Sequence, residues 1–367
     1  MDPLQILPEE IIDKIFSHLR IRDIQVISLV SKHWYNIIGQ SKMCMKKLHI
    51  RRIDNFDDFE SILNSNRHYQ YLTFMFNESS LNKNTKLMRV MRDIVEKFSK
   101  SLVFVKTSID LKLKSDLPKL KELEYKDYLS THLIMSNGLI TKAKNLEKLT
   151  VKCFKGLDKK SLKYIKDAIL DNESLKILDV MDEIMQEPKH QNIKFKLDEL
   201  SLSNFVLQRE RKERLSSLDK FLSTQFSSLQ VVTIPFDKEF MIYFMSNFPK
   251  LHTISLLTNY ENSLSNDGLE YPTNQSIKKL AFKLYFFSDE PRFIHMCEVI
   301  TKALNLQEIE FNYLPPEVLP FIYNSPMLKV VRYNYLSYNF PKNLKDEMDQ
   351  HERIKFVQVN IRFFHTF

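Results

Sequence analysis

Glycine is scarce in this chain: four occur among 367 residues, Gly39, Gly138, Gly156 and Gly268, and no two lie closer than 18 positions. Loops that cradle phosphate need clustered glycines so that the backbone can approach the anion. A Walker loop, a kinase glycine loop and a dinucleotide fingerprint are therefore ruled out. Cysteine is scarcer still. Cys44, Cys153 and Cys297 are an odd, scattered set, so neither a disulfide framework nor a paired-cysteine zinc site can be drawn. The ten histidines form no HExxH and no close ligand pair, so no metal or cofactor is expected. The longest unbroken apolar run is Phe240–Met245, six residues, against the roughly 18–20 that span a bilayer. No membrane partner is expected. The start, Met1-Asp2-Pro3-Leu4, lacks the basic-then-apolar pattern of a secretory signal, so a reducing compartment, cytoplasm or nucleus, is expected. Without such a signal the glycosylation patterns at Asn77, Asn172 and Asn274 carry little meaning.

What is present is an ordinary globular balance, with 43% hydrophobic and 27% charged residues. At about 150 residues per domain the length suits two or three domains or one long repeat array. The net charge of +8 raises nucleic-acid binding, which requires basic residues gathered in a stripe. Here Lys and Arg are spread along the chain and interleaved with acids, and no recognition motif appears. Weak, salt-sensitive association is the most this supports. The run from Arg209 to Arg214 alternates in sign and reads as a solvated helix or loop.

The first fifty residues are denser. From Leu4 to Ile38, 18 of 35 residues are apolar and fall at helical spacing. Pro8-Glu9-Glu10 opens a helix well, since proline suits the first turn and acids favour the positive end of the dipole. Ile11, Ile15 and Leu19 share one face; Ile12 and Phe16 share the next. Asp23 caps a second helix carrying Ile24, Val26, Ile27 and Val30, and a third runs from about Lys32 to Ile38. Three short helices enclose too little core to hide this surface. Each fully buried Ile or Leu contributes roughly 1.5–3 kcal/mol. Something outside the helices should cover part of it, either the rest of the chain or a second protein.

Leu7-Pro8-Glu9-Glu10-Ile11-Ile12, Ile15-Phe16, Leu19, Asp23-Ile24 and Leu29-Val30-Ser31-Lys32-His33-Trp34 together resemble an F-box. The resemblance implies a helical module, residues 1–50, that docks on a Skp-type adaptor and through it on cullin and RING subunits of a ubiquitin ligase. It assigns adaptor contacts to Leu7, Pro8, Ile11, Ile12, Ile15, Phe16, Leu19 and Ile24. Val30 and Trp34 would support the module's own packing. Ser31 stands where the family often has cysteine, and Cys44 where a second tryptophan is common.

Residues 51–367 carry a recurring pattern: apolar, two variable, apolar, one variable, apolar. It appears at Leu120/Leu123/Tyr125, Leu146/Leu149/Val151, Leu175/Leu178/Val180, Leu197/Leu200/Leu202 and Leu229/Val232/Ile234. It continues at Leu251/Ile254/Leu256, Ile277/Leu280/Phe282, Leu306/Ile309/Phe311, Leu328/Val331/Tyr333 and Ile354/Val357/Val359, with weaker copies from Tyr69 and Leu102 and another, from Met45, just before residue 51. Alternate apolar positions bury one face of a strand. Intervals such as 157–172, with Leu162, Ile165 and Ile169, and 292–305, with Phe293, Cys297, Ile300 and Leu304, read as helices backing the strands. Such units bury a continuous core only by stacking. The array resembles the leucine-rich-repeat family, without most of the asparagines that usually follow the strand. The expected fold class is thus α/β: a three-helix module followed by an irregular solenoid with a parallel curved sheet. An ordinary α/β domain is the alternative.

In a solenoid the variable strand residues line a concave face. Those read as contacts for a target protein are Lys148, Lys152, Ile177, Met181, Val231, Thr233, Thr253, Leu257, Lys279, Lys283, Glu308 and Glu310. Apolar side chains in the middle and alternating charges on the flanks suit a protein partner. The function expected is a non-catalytic, substrate-recognition subunit of an SCF-type ligase. The alternatives are an F-box scaffold outside a cullin ligase and a basic, nucleic-acid-associated repeat protein. An independent enzyme finds no glycine loop, metal cluster or nucleophile motif, and no catalytic residue is assigned.

Overall fold

A computed structural model describes residues 7–19, 23, 26–27, 29–40, 46–50, 57–65, 68–74, 85–127, 138–153, 159–185, 193–203, 211–257, 269–283, 290–336 and 340–359. The chain divides into two compact units, Met1–Leu175 and Lys176–Phe367. The boundary drawn at residue 50 from the sequence falls inside the first unit.

In the first unit the repeated pattern becomes strands β1 Lys47–Ile50, β2 Tyr71–Phe74, β3 Phe104–Thr107, β4 Glu122–Asp127 and β5 Lys148–Cys153. Each pairs in parallel with the next, in sequence order, and the middle apolar position of every motif is in register: Leu48, Leu72, Val105, Leu123 and Leu149. Leu72, Val105, Leu123 and Leu149 are all buried, as are Phe74, Tyr125 and Val151 two residues on. The helices are α1 Glu9–His18, α2 Lys32–Gln40, α3 Asp57–Asn64, α4 Thr85–Phe98, α5 Leu139–Lys142 and α6 Lys159–Leu170. Helix α4 buries Leu87, Met91, Ile94, Val95 and Phe98, the spacing of an amphipathic helix. Helix α6 buries Ile165 and Ile169 as expected, with Ser161 beside them and Leu162 only half-buried.

The second unit repeats the plan. Strands β6 Ile177–Met181, β7 Glu199–Ser203, β8 Val231–Pro235, β9 Thr253–Leu257, β10 Lys279–Lys283, β11 Glu308–Leu314, β12 Val330–Leu336 and β13 Lys355–Gln358 pair in parallel, each with its successor. Leu178, Leu200, Val232, Ile254, Leu280, Ile309 and Val331 occupy one register row and all are buried. Helices α7 Asp182–Met185, α8 Arg211–Ser223, α9 Lys238–Asn247, α10 Glu290–Lys302, α11 Leu319–Asn324 and α12 Lys342–Gln350 fill the intervals. The Asp237 carboxylate accepts from the Phe240 N–H at 3.2 Å and starts α9. That helix buries Phe240, Met241, Phe244 and Met245, most of the longest apolar run.

Two expectations need correction here. In β13 the register is one residue off the motif, because Val331 pairs with Phe356 rather than Val357. This strand follows β12, and its four side chains are only half-buried or exposed, so burial constrains its pairing weakly. In α10 the inward stripe is Met296, Cys297, Val299 and Ile300, while Leu304 lies beyond the helix end and is 44% exposed. Of the charged run 209–214, Arg211 onward is helical; the side chains of 211–214 lie outside the described residues.

Within each unit, successive repeats are stitched by a repeated backbone device. Where a strand begins, two successive N–H groups donate to one carbonyl of the preceding repeat, as Val103 and Phe104 do to Gln70, and Gln307 and Glu308 to Lys278. Buried amides reinforce it. Asn274 donates through Nδ2 to Met245 O at 2.7 Å and accepts through Oδ1 from the N–H groups of Ser276 and Ile277 at 2.8 and 2.9 Å. Asn172 plays the same part with Ala143 O and Ser174 N–H, and Gln225 accepts from the Leu197 N–H at 2.8 Å. Two of the three glycosylation patterns are therefore turns that bury their asparagine; Asn77 lies outside the described residues.

Candidate functional site

Pro8 caps α1, its carbonyl accepting from the N–H groups of Ile11 and Ile12 at 3.0 and 3.1 Å. The helix that follows separates two faces one residue apart. Ile12 and Phe16 are 8% and 1% exposed and form an interior against which Leu19, Trp34, Ile37 and Ile38 pack. The adjacent face holds Ile11 and Ile15, 43% and 41% exposed, and just before the helix Leu7 is 36% exposed, with Pro8 also exposed. Leaving apolar side chains of this size in water forgoes roughly 1.5–3 kcal/mol each, and clustered exposure of this kind marks an interaction surface.

Five of the eight residues assigned to the adaptor contact are thus at the surface or its rim: Leu7, Pro8, Ile11, Ile15 and, half-buried, Leu19. Ile12 and Phe16 are corrected to the module's interior: they follow Ile11 and Ile15 by one residue, about 100° around the helix, and that turn faces α2. Ile24 and Cys44 lie outside the described residues, as does most of the expected second helix, of which residues 23, 26 and 27 are helical. Val30, expected to pack inside, is instead 68% exposed in a turn with Leu29, itself 84% exposed. Trp34 does pack inward, its ring 6.4 Å from that of Phe16.

On the repeats, the outward positions align in rows within the second unit. Ile177, Glu199, Val231, Thr253, Lys279, Glu308 and Val330 make one; Thr233, Ser255, Ala281, Glu310 and Arg332 belong to the next, in which Ser255 and Ala281 are buried. Ile177, Val231, Thr233, Thr253, Leu257, Lys279, Lys283, Glu308 and Glu310 are half-buried on this face. Met181 is corrected to the core: it is 1% exposed, because the chain turns from β6 straight into α7 and carries it inward beside Ile184 and Met185.

The charges expected to meet a partner meet each other. Lys279 Nζ lies 2.6 Å from Glu308 and 3.4 Å from Glu310, and Arg332 Nε donates to Glu308 at 3.1 Å. Burial opposes ionisation of Glu308, but the hydrogen bonds and charges of Lys279 and Arg332 outweigh it and hold the carboxyl below its ordinary value. Beyond them, Asn334 Nδ2 donates to Asn312 Oδ1 at 3.1 Å, a buried rung between β11 and β12.

In the first unit Lys148 and Lys152 are half-buried, and Lys148 lies 3.9 Å from Glu122. The row of Lys148 also carries Tyr71 and Phe104, with ring centroids 6.3 Å apart, and in the next row Lys106 bonds to Glu124 at 3.0 Å. These were missed because the early motif copies are irregular; the alternation through Leu72 and Val105 would have found them. Cys297 is buried, and burial together with Glu317 and Glu298 pushes its thiol up to about 11, so it packs as a small hydrophobe. Among the described residues no three His, Cys, Asp or Glu side chains gather as metal ligands, and no helix is long and apolar enough to cross a membrane.

No curated protein matches the chain. Residues 4–45 match the F-box domain, the segment whose apolar face stands open on α1, so the chain carries an F-box at these residues.

Proposed function

We propose that this chain is the non-catalytic target-binding subunit of an SCF-type ubiquitin ligase. An F-box generally mediates binding to the Skp-type adaptor of such ligases, and this chain carries one at residues 4–45. The observation that carries it is the division of α1: Ile12 and Phe16 satisfy the module's interior, while Leu7, Ile11 and Ile15 remain exposed for a foreign subunit. The parallel strand–helix repeats, read as an irregular leucine-rich array, then hold a target on their outward rows. The gain is proximity: a bound target sits at high effective concentration near the charged conjugating enzyme. No residue of this chain needs to touch the thioester. Its workplace is the cytoplasm or nucleus.

The test is co-purification with a Skp-type adaptor, comparing the intact chain with Ile11→Asp/Ile15→Asp. Loss of the adaptor from the variant, with its repeats folded, supports the reading, and equal recovery overturns it. Adding cullin and RING subunits separates a ligase subunit from a scaffold, since only the first brings them down.

A further inference from the structure

We propose that Ser31 is a positioning residue for adaptor docking, acting through the start of α2 rather than by contact; this rests on the docking reading above. Ser31 lies directly before α2, after the turn in which Leu29 and Val30 donate to Val26 and Ile27. Its Oγ accepts from the Trp34 N–H at 3.2 Å, and its carbonyl accepts from the Tyr35 N–H at 3.0 Å. That is the geometry of a helix cap, which satisfies an amide the helix cannot.

The cap matters more here than in most helices. Helix α2 has no acidic residue in its first turn and opens instead on Lys32, the wrong sign for the positive end of the helix dipole. The side-chain hydroxyl of Ser31 therefore supplies what the sequence of the turn does not. The residue whose amide it holds is Trp34, the chain's single tryptophan, which lies against Phe16 with Ile37 and Ile38 one turn on. Phe16 and Ile12 are the inward side of the helix whose outward side is Ile11 and Ile15. The line Ser31, Trp34, Phe16, α1 is continuous, so a shift at the cap moves the docking face.

The experiment measures adaptor affinity of the full chain as wild type, Ser31→Ala, Ser31→Asp and Ile11→Asp/Ile15→Asp, with Trp34 emission followed in each. Asp caps as well as Ser and suits the dipole. Ser31→Ala is expected to weaken binding roughly fivefold and to shift Trp34 emission to the red, and Ser31→Asp to restore both. If Ala and Asp weaken binding equally while Trp34 emission stays put, the hydroxyl acts by direct contact and positioning is overturned. If neither Ser31 variant changes affinity while the Ile11/Ile15 variant loses it, positioning is overturned and docking stands. If the Ile11/Ile15 variant also binds normally, docking falls and the role of Ser31 falls with it.

Discussion

Phe16 and Trp34 join α1 to α2 through tilted rings, with centroids 6.4 Å and planes 52° apart. Because Phe16 is committed to this contact, its neighbour Ile15 is turned outward, and one residue step divides packing from recognition. Two kinds of defect should therefore separate cleanly in this module.

Phe16→Ala removes the ring on which Trp34 rests and is expected to destabilise the module by about 3–5 kcal/mol. The chain has one tryptophan, so its emission reports on this module and not on the repeats. Denaturant unfolding followed by Trp34 emission should show the loss, while far-ultraviolet dichroism, dominated by the repeats, should show little. Parallel loss of both signals would mean that the module is not a separate defect site.

Asn274→Ala leaves the half-buried N–H of Ser276, the buried N–H of Ile277 and the Met245 carbonyl without their partner. A cost of about 2–4 kcal/mol follows from orphaning several buried groups, read by denaturant unfolding. The same burial predicts that Asn172 and Asn274 carry no glycan in the folded chain even when it is directed into a glycosylating compartment. A glycosidase-sensitive mass shift at either residue would contradict this.

Gly138 is small because Asp110 requires it. A Cβ there would collide with the Asp110 carboxyl, which accepts from the Tyr125 hydroxyl at 2.8 Å and the Leu139 N–H at 3.0 Å. Gly138→Ala is expected to cost about 1–3 kcal/mol through overpacking, measured as a lower unfolding midpoint. Asp110→Ala combined with it should lose less than the two singly, since the clash is then gone.

Alkaline pH should loosen the same region. Burial, then the charge and hydrogen bond of Asp110, raise the Tyr125 phenol well above its ordinary value of 10.0. The unfolded phenol ionises near 10, so this contribution is complete below that pH and is lost as pH rises above it. Unfolding midpoints should fall above pH 10, and Tyr125→Phe should remove part of that slope. A slope unchanged in Tyr125→Phe would assign it to other tyrosines such as Tyr323, pushed up to about 12 by burial and by Glu347.

Much of the fold was legible because its determinant is local. Alternation through Leu149/Val151 or Ile254/Leu256 needs only a strand's own residues, and the observed register rows follow the motif from β1 to β12 within each unit. What escaped depends on neighbours in space. Met181 obeys the alternation until α7 pulls it inward, and β13 slips because its burial is slight. Lys279 and Glu308 are 29 positions apart and look like free charges until the sheet brings them to 2.6 Å. At the candidate site, helical spacing found both faces of α1 but not which one turns inward; the Trp34 contact decides that. The buried amides have a signal in the sequence, since Asn172 and Asn274 each sit three residues before the first apolar position of a motif.

The most direct measurement is a calorimetric titration of a Skp-type adaptor into the intact chain at several temperatures. The account predicts specific binding with a negative heat-capacity change, the mark of buried apolar surface. It also predicts a loss of affinity of roughly hundredfold or more for Ile11→Asp/Ile15→Asp. No heat of binding from the intact chain, or equal affinity for that variant, would contradict it.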